Sequence, residues 1–406
     1  MITKESGEGV GCSAAELNGV RHILATAAPC RGTGLEEQAA SALRTIEAVM
    51  HEHGARGSIV QQSVFLKDID DVETCRRILR EFYGPQMPAT SFVPQTPCEG
   101  QLLAIEAWGV GRGHNGKTGV EIDRHGEHLV IARHSGVAWA HAADFWSDAS
   151  SGGVYQRSLA AFEQMSRMLA NRRLRYEQVV RTWLYLGDIV GAEGETQRYK
   201  ELNRARTDFY RPFAFGMGRT PPCCRPPVYP ASTGIGTCGR CIVMSCIALE
   251  ISRPDVLVIP LENPQQTSAF DYGAHYSPRS PKFSRAMAVA AGDSATIFVS
   301  GTASITESET RHVGDVESQT ELTLDNIEAL ISPDNFRCHG ASQLGAALDD
   351  LALVRVYVKR QEDFEKTRAV CRRRLGELAA VYTVADVCRS ELLVEIEGVG
   401  FVRARQ

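Results

Sequence analysis

An α+β protein made of three copies of one module is the fold this sequence predicts, on three observations. A helix, strand, helix, strand order recurs along the chain, its strands are rich in Val, Ile and Leu, and Gly, Pro and polar residues collect between the copies. Strands of that kind hide their apolar face only under a covering layer. Each module is therefore predicted as a mixed β-sheet with two helices on one face.

The first module, residues 1–120, begins its helix after Gln38, with Ala39, Leu43, Ile46 and Met50 on one face and Gly54 as the stop. Ile59 to Leu66 follows as a strand, then a helix over about 71–83 and a closing strand from Gln101 to Ala107. The second, 121–254, is less regular: a helix with Leu159, Phe162, Met165 and Leu169, a strand from Val179 to Leu186, and a closing strand from Cys241 to Glu250. The third, 255–406, has a helix carrying Leu324, Ile327 and Leu330, a strand from Leu353 to Val358, a helix over about 361–377 and the closing run. Val64-Phe65-Leu66-Lys67-Asp68 parallels Val356-Tyr357-Val358-Lys359-Arg360. Gly-rich and polar residues near 113–125, and Pro254, Pro260 and Pro264, mark the joints.

With 43% hydrophobic and 23% charged residues among 406, this is the composition of a globular chain. No run approaches 18 apolar residues and no charged-then-apolar leader opens the chain, so membrane insertion is not expected and a cytoplasmic location is. A net charge of −5 argues against a broad nucleic-acid surface, with the basic cluster from Arg167 to Arg181 as the local exception. Twelve cysteines scattered over the chain read as reduced thiols. Cys238-Gly239-Arg240-Cys241 is a CxxC, but without a second such pair or a spaced His pair it is a weak signal for a metal, and none is expected.

The closing run from Val387 to Gly398, read as one strand, sets Cys388, Arg389, Glu391, Glu395 and Glu397 into apolar sequence. Period-two alternation puts Glu395 and Glu397 on one side and Val394 and Ile396 on the other. Two carboxylates so close raise one another's pKa, and one of them can then keep a proton near neutrality and serve as a general acid.

Met217 to Pro221, Pro230 to Gly236, Glu262 to Gln266, Tyr276 to Ala286, Ser300 to Ile305, His312 to Asp315 and Cys388 to Glu397 occur in an order that resembles the chorismatases, which are built from fused modules of the Rid type. Rid proteins assemble as trimers with ligand sites in the clefts between subunits. The resemblance implies that three fused modules form a pseudo-trimer within one chain, that the monomer needs no cofactor, and that one cleft is specialised. It aligns Glu106, Glu250 and Glu397, with Ala104, Ala248 and Glu395 two residues earlier, so only the third module carries the extra acid.

The implied reaction is cleavage of the enolpyruvyl ether of chorismate, with Glu395 as general acid and pyruvate as one product. Chorismate is a dianion, for which Arg forks are apt donors, and Arg219, Arg279, Arg285 and Arg389 are the candidates, with Tyr276 as a further hydrogen-bond donor. Gly301, Thr302 and Ala303 are candidates for close backbone approach and N–H donation, with a short strand turn as the plainer reading. Glu397 is assigned a supporting role. Cys388, seven residues before the acid, matches the chorismatases that make 3-hydroxybenzoate; a dihydroxy-cyclohexadiene carboxylate is the alternative product. A non-catalytic Rid-like binding or scaffold protein, and a Rid-type deaminase or RNA-cleaving relative, are the readings from other classes.

Overall fold

The structure is a computed structural model that describes residues 2–114, 118–147, 152–273 and 279–404. Three six-stranded mixed sheets dominate them, and all three share one strand order. The first sheet comprises β1 (Thr3–Gly7), β2 (Val10–Leu17), β3 (Val20–Ala27), β4 (Ile59–Leu66), β5 (Ala89–Val93) and β6 (Leu103–Arg112), with helices α1 (Leu35–Glu52) and α2 (Val72–Tyr83). Its strands lie in the order β1-β2-β3-β6-β4-β5, antiparallel except for the β4–β5 pair. The second contains β7 (Glu121–His125), β8 (Leu129–His134), β9 (Val137–Ser147), β10 (Val179–Gly187), β13 (Ala231–Thr237) and β14 (Ile242–Ile251), with α3 (Val154–Ala170), a small ribbon of β11 (Ala192–Glu193) and β12 (Thr196–Gln197), and α4 (Arg198–Tyr210). The third contains β15 (Leu257–Leu261), β16 (Ala286–Ala291), β17 (Ser294–Ala303), β20 (Leu351–Val358), β21 (Ala379–Val384) and β22 (Val394–Arg403), with the ribbon β18 (Ile305–Thr306) and β19 (Glu309–Thr310), and helices α5 (Val316–Ile331), α6 (Pro333–Cys338) and α7 (Phe364–Leu375).

Each sheet opens with a meander of three strands that helix periodicity did not reveal. Two of those hairpins turn on residues that accept positive φ, Asn18-Gly19 (φ 50° and 76°) and Ser135-Gly136 (φ 51° and 75°). The closing segment also differs from its reading as one strand: β22 starts only at Val394, because the chain from Ser390 to Glu391 turns, with Leu392 N–H donating to the Arg389 carbonyl.

The outer face of each sheet packs on its own helices, and the inner faces of all three meet in one central core. The contacts between sheets run in a cycle. The parallel edge strand β5 lies against β9, β13 against β17, and β21 against β2 and β3. Buried ions cross the centre. Arg355 on β20 grips Glu106 on β6 with two bonds of 2.6 and 2.7 Å and Glu397 on β22 at 3.0 Å, while Arg181 on β10 pairs with the other Glu397 oxygen.

The register corrects the alignment of the acids. Glu397 pairs across from Arg355 and Glu106 from Ser63, and the matching position on β14 is Ser245, opposite Trp183. Glu250 is exposed near the end of β14. Matching the strands by their glutamates slid β14 by five residues; the bulges and the apolar face set its true register. At the Glu395 position the other sheets carry Ala104 and Val243, so the extra acid belongs to β22 alone.

Near one end of the central core, His22, His134 and His141 are buried among Trp108, Trp139 and Phe401. Burial lowers all three, His134 to about 4 and His141 to about 3 from 6.5. Between those values and 6.5 the unfolded chain binds protons that the folded one refuses, so this contribution is intact above pH 6.5 and is lost as pH falls below it. The melting temperature is expected to drop from pH 6.5 to 4, less steeply for His134→Leu than for the natural chain. Equal slopes in the two proteins would remove the histidines from the acid response. No helix among the described residues is long and apolar enough to cross a membrane.

Candidate active site

Glu395 lies on the wall of a cavity of about 270 Å³ between the second and third sheets. Val394 and Ile396 pack toward the helices of the third sheet, which leaves Glu395 and Glu397 on the inner face. Glu395 is 5% exposed, and among the described residues no group hydrogen-bonds its side chain. Burial pushes its carboxyl up to about 8, helped by the charge of Glu397 and opposed by Arg181 and Arg285. Glu397 goes the other way. Burial raises it, but Arg181 and Arg355, with Thr233 and Trp183 donating, outweigh that and hold it below the ordinary value. Two acids two residues apart are thus split into a neutral acid facing the cavity and an anion locked in the core.

A β-bulge builds the space around Glu395. Between Val299 and Thr302 the β17–β22 register shifts, and Gly301 swings over the carboxyl. A Cβ at Gly301 would run into Glu395 Oε1, so a larger residue fits there only if that carboxyl moves. The Gly301 N–H already donates to Thr233 Oγ1 at 3.0 Å, and Thr302 is buried with its hydroxyl on the Ser300 carbonyl at 2.9 Å. The Gly301 N–H is therefore spent within the protein; Gly301 and Ala303 line the cavity and supply room, and Thr302 is not part of its lining.

Two arginines face the cavity. Arg285 is 3% exposed, and its Nη2 donates to the Thr267 carbonyl at 2.9 Å and to the Tyr272 hydroxyl at 2.6 Å. Arg389 reaches the Ser308 carbonyl at 2.8 Å and stacks over the same Tyr272 ring. Cys388 also borders the space; burial, and after it the Glu395 charge, pushes its thiol up to about 12, so it stays protonated at neutral pH. Of the other sequence candidates, Arg219 does not line the cavity. Its guanidinium donates to the carbonyls of Arg253 and Pro254, tying its loop to the chain before β15. Arg279 is exposed and likewise outside the lining, and Tyr276 lies outside the described residues.

Sequence reasoning passed over the opposite wall, which α4 and β13 provide. Tyr199 and Asn203 line it beside Ser232 and Gly234. Arg206 stands behind them, 3.3 Å from Ser232 Oγ and over the Phe283 ring. The signal was present: Tyr199, Leu202, Asn203, Arg206 and Tyr210 share one buried helical face, and an arginine on such a face needs a reason.

Comparisons with known proteins bear on this site. A family model described as chorismatase FkbO/Hyg5-like, N-terminal, matches residues 117–248, and one for endoribonuclease L-PSP matches 26–106. The fold is similar to that of a chorismatase crystal structure, with a TM-score of 0.65 at 23% identity over 94% of this chain and 98% of the other. The chain is 34% identical over 275 residues to a chorismatase of Streptomyces rapamycinicus, covering 66% of this chain and 77% of that protein. It is 36% identical over 275 residues to a 3-hydroxybenzoate synthase of Streptomyces hygroscopicus, covering 65% of this chain and 76% of that one. Identity of that depth, over most of the relatives' length, makes this chain a member of the chorismatase family.

Proposed function

We propose that this enzyme cleaves chorismate at its enolpyruvyl ether, with Glu395 as the general acid. The observation that carries the reading is a buried carboxyl, neutral at pH 7, on a cavity wall that also presents Arg285 and Arg389. The two arginines suit the substrate's two carboxylates. Glu395 gives its proton to the enolpyruvyl methylene carbon; the ring C–O bond of the resulting oxocarbenium ion then breaks with its electron pair passing to oxygen as pyruvate leaves, and the vacated ring carbon is taken by the neighbouring ring hydroxyl or by water, which gives up a proton. Splitting chorismate into pyruvate and 3-hydroxybenzoate needs no net water; forming the dihydroxy-cyclohexadiene carboxylate adds one. Cys388 on the cavity edge favours 3-hydroxybenzoate.

The wider architecture belongs to the same reading. Residues 1–120, 121–254 and 255–406 act as three fused Rid-like modules forming a pseudo-trimer, supported by the shared strand order and the cycle of edge contacts. Among the described residues only one of the three clefts has an acid at the Glu395 strand position. Ala104 lines the cleft between the third and first sheets, and Asp144 is paired with Arg76 at 2.5 Å in the one between the first and second.

The test is incubation of pure protein with chorismate, following pyruvate and identifying the ring product; no pyruvate refutes the reading. Cys388→Ala is expected to shift the products away from 3-hydroxybenzoate with little change in KM, and an unaltered 3-hydroxybenzoate yield would remove Cys388 from product control. Gly301→Ala is expected to fold while pushing the Glu395 carboxyl aside, with kcat down at least tenfold. Turnover equal to that of the natural chain would show that the acid tolerates displacement.

A further inference from the structure

A second buried acid sits beside the cavity, unused by the chemistry above. Glu262 directly follows β15, and its Oε1 accepts the Arg285 backbone N–H at 3.3 Å. Its Oε2 is buried without a hydrogen-bond partner among the described residues, and so is Nε of Arg285. The main chain of Glu262 is clamped on both sides: its N–H donates to His339 Nε2 at 3.2 Å, and its carbonyl accepts from Asn335 Nδ2 at 3.1 Å. The acid is therefore held in place beside the arginine that faces substrate.

We propose that Glu262 is a positioning residue that supplies the counter-charge of Arg285 before substrate binds and takes up one proton from solvent when a substrate carboxylate reaches that arginine. Two anions then compete for one buried cation, and the one that can be neutralised gives way. The site can admit a dianion while gaining one less negative charge. Few groups face Glu262. Arg285 comes from the segment before β16, the hydroxyls of Ser268 and Ser284 flank the carboxyl, and His339 at the end of α6 meets the main chain, its Nε2 accepting the Glu262 N–H and its Nδ1 lying 2.8 Å from the Asn335 carbonyl. Burial already lifts the Glu262 carboxyl to about 7, against the pull of Arg285, so a modest change of field moves its proton occupancy.

The inference rests on the reading that Arg285 receives a carboxylate of chorismate. It is tested in a Glu395→Gln background, where turnover is slowed about 10²–10⁴-fold and position 395 cannot titrate. Calorimetry at pH 7.5 in buffers of different ionisation enthalpy is expected to show uptake of most of one proton per chorismate. The Kd should weaken toward tenfold per pH unit above pH 7. Adding Glu262→Gln should abolish the uptake and flatten the profile; Glu262→Asp, which still titrates, should keep both. Binding by the Glu395→Gln protein without proton uptake overturns the proposal, whether or not the double variant folds, and so does uptake that survives Glu262→Gln. If the natural chain releases no pyruvate from chorismate, the functional reading fails and this inference with it; missing uptake in a chain that does turn over sinks the inference alone.

Discussion

Glu395→Gln is expected to lower kcat by about 10²–10⁴-fold, the usual contribution of a positioned general acid, while KM changes little. Glutamine keeps the shape of the neutral acid but has no proton to give. In the natural chain kcat should be highest below pH 8 and fall as pH rises through that value, because the working form is protonated. Stability should also fall with rising pH, over a lower range than activity. The folded state holds a proton on Glu395 that the unfolded chain releases near pH 4.5, so this group's contribution to stability declines as pH rises from about 4.5 to 8. Glu395→Gln has no such penalty and should melt at or above the temperature of the natural chain at pH 8. A variant with near-normal kcat would end the general-acid assignment. A much lower melting temperature would mean that the loss of activity reports unfolding.

Arg355→Met carries the largest expected structural effect, a loss of about 3–5 kcal/mol in urea unfolding. Removing this guanidinium takes the bidentate partner from buried Glu106 and one of two cations from Glu397. Both carboxylates would then be buried with less compensation than desolvation demands. Arg355→Lys keeps the charge but not the fork, and is expected to recover only part of the loss. The effect should reach the cavity too, since the charge of Glu397 helps hold Glu395 neutral. A change below about 1 kcal/mol would mean that the central ion pairs are dispensable to the fold.

Legibility in the sequence followed the strength of local patterns. The apolar stripe of α1 and the alternation in Val394-Glu395-Ile396-Glu397 survive in the structure because each is decided by one element choosing a single face. In the first meander β2 and β3 went unread because they are buried on both sides and lack alternation, although Asn18-Gly19 between two apolar runs is a strong hairpin signal. Glu250 was misplaced because a shared residue type says nothing of register, which depends on bulges such as the one at Arg181. Arg219 and Arg279 looked equal to Arg285 in sequence. What separates them is burial against a second sheet, a long-range property that no local window contains.

The cycle of sheet contacts has a kinetic consequence. One cavity wall comes from α4 and β13 and the other from β17 and β22, all in one covalent chain, so the site's assembly is an intramolecular event whose effective concentration does not change on dilution. A cleft shared between separate subunits vanishes as the subunits part. Here specific activity should stay constant as enzyme is diluted to the lowest assayable level, and added unfolded or truncated chain should not compete for the partner strand.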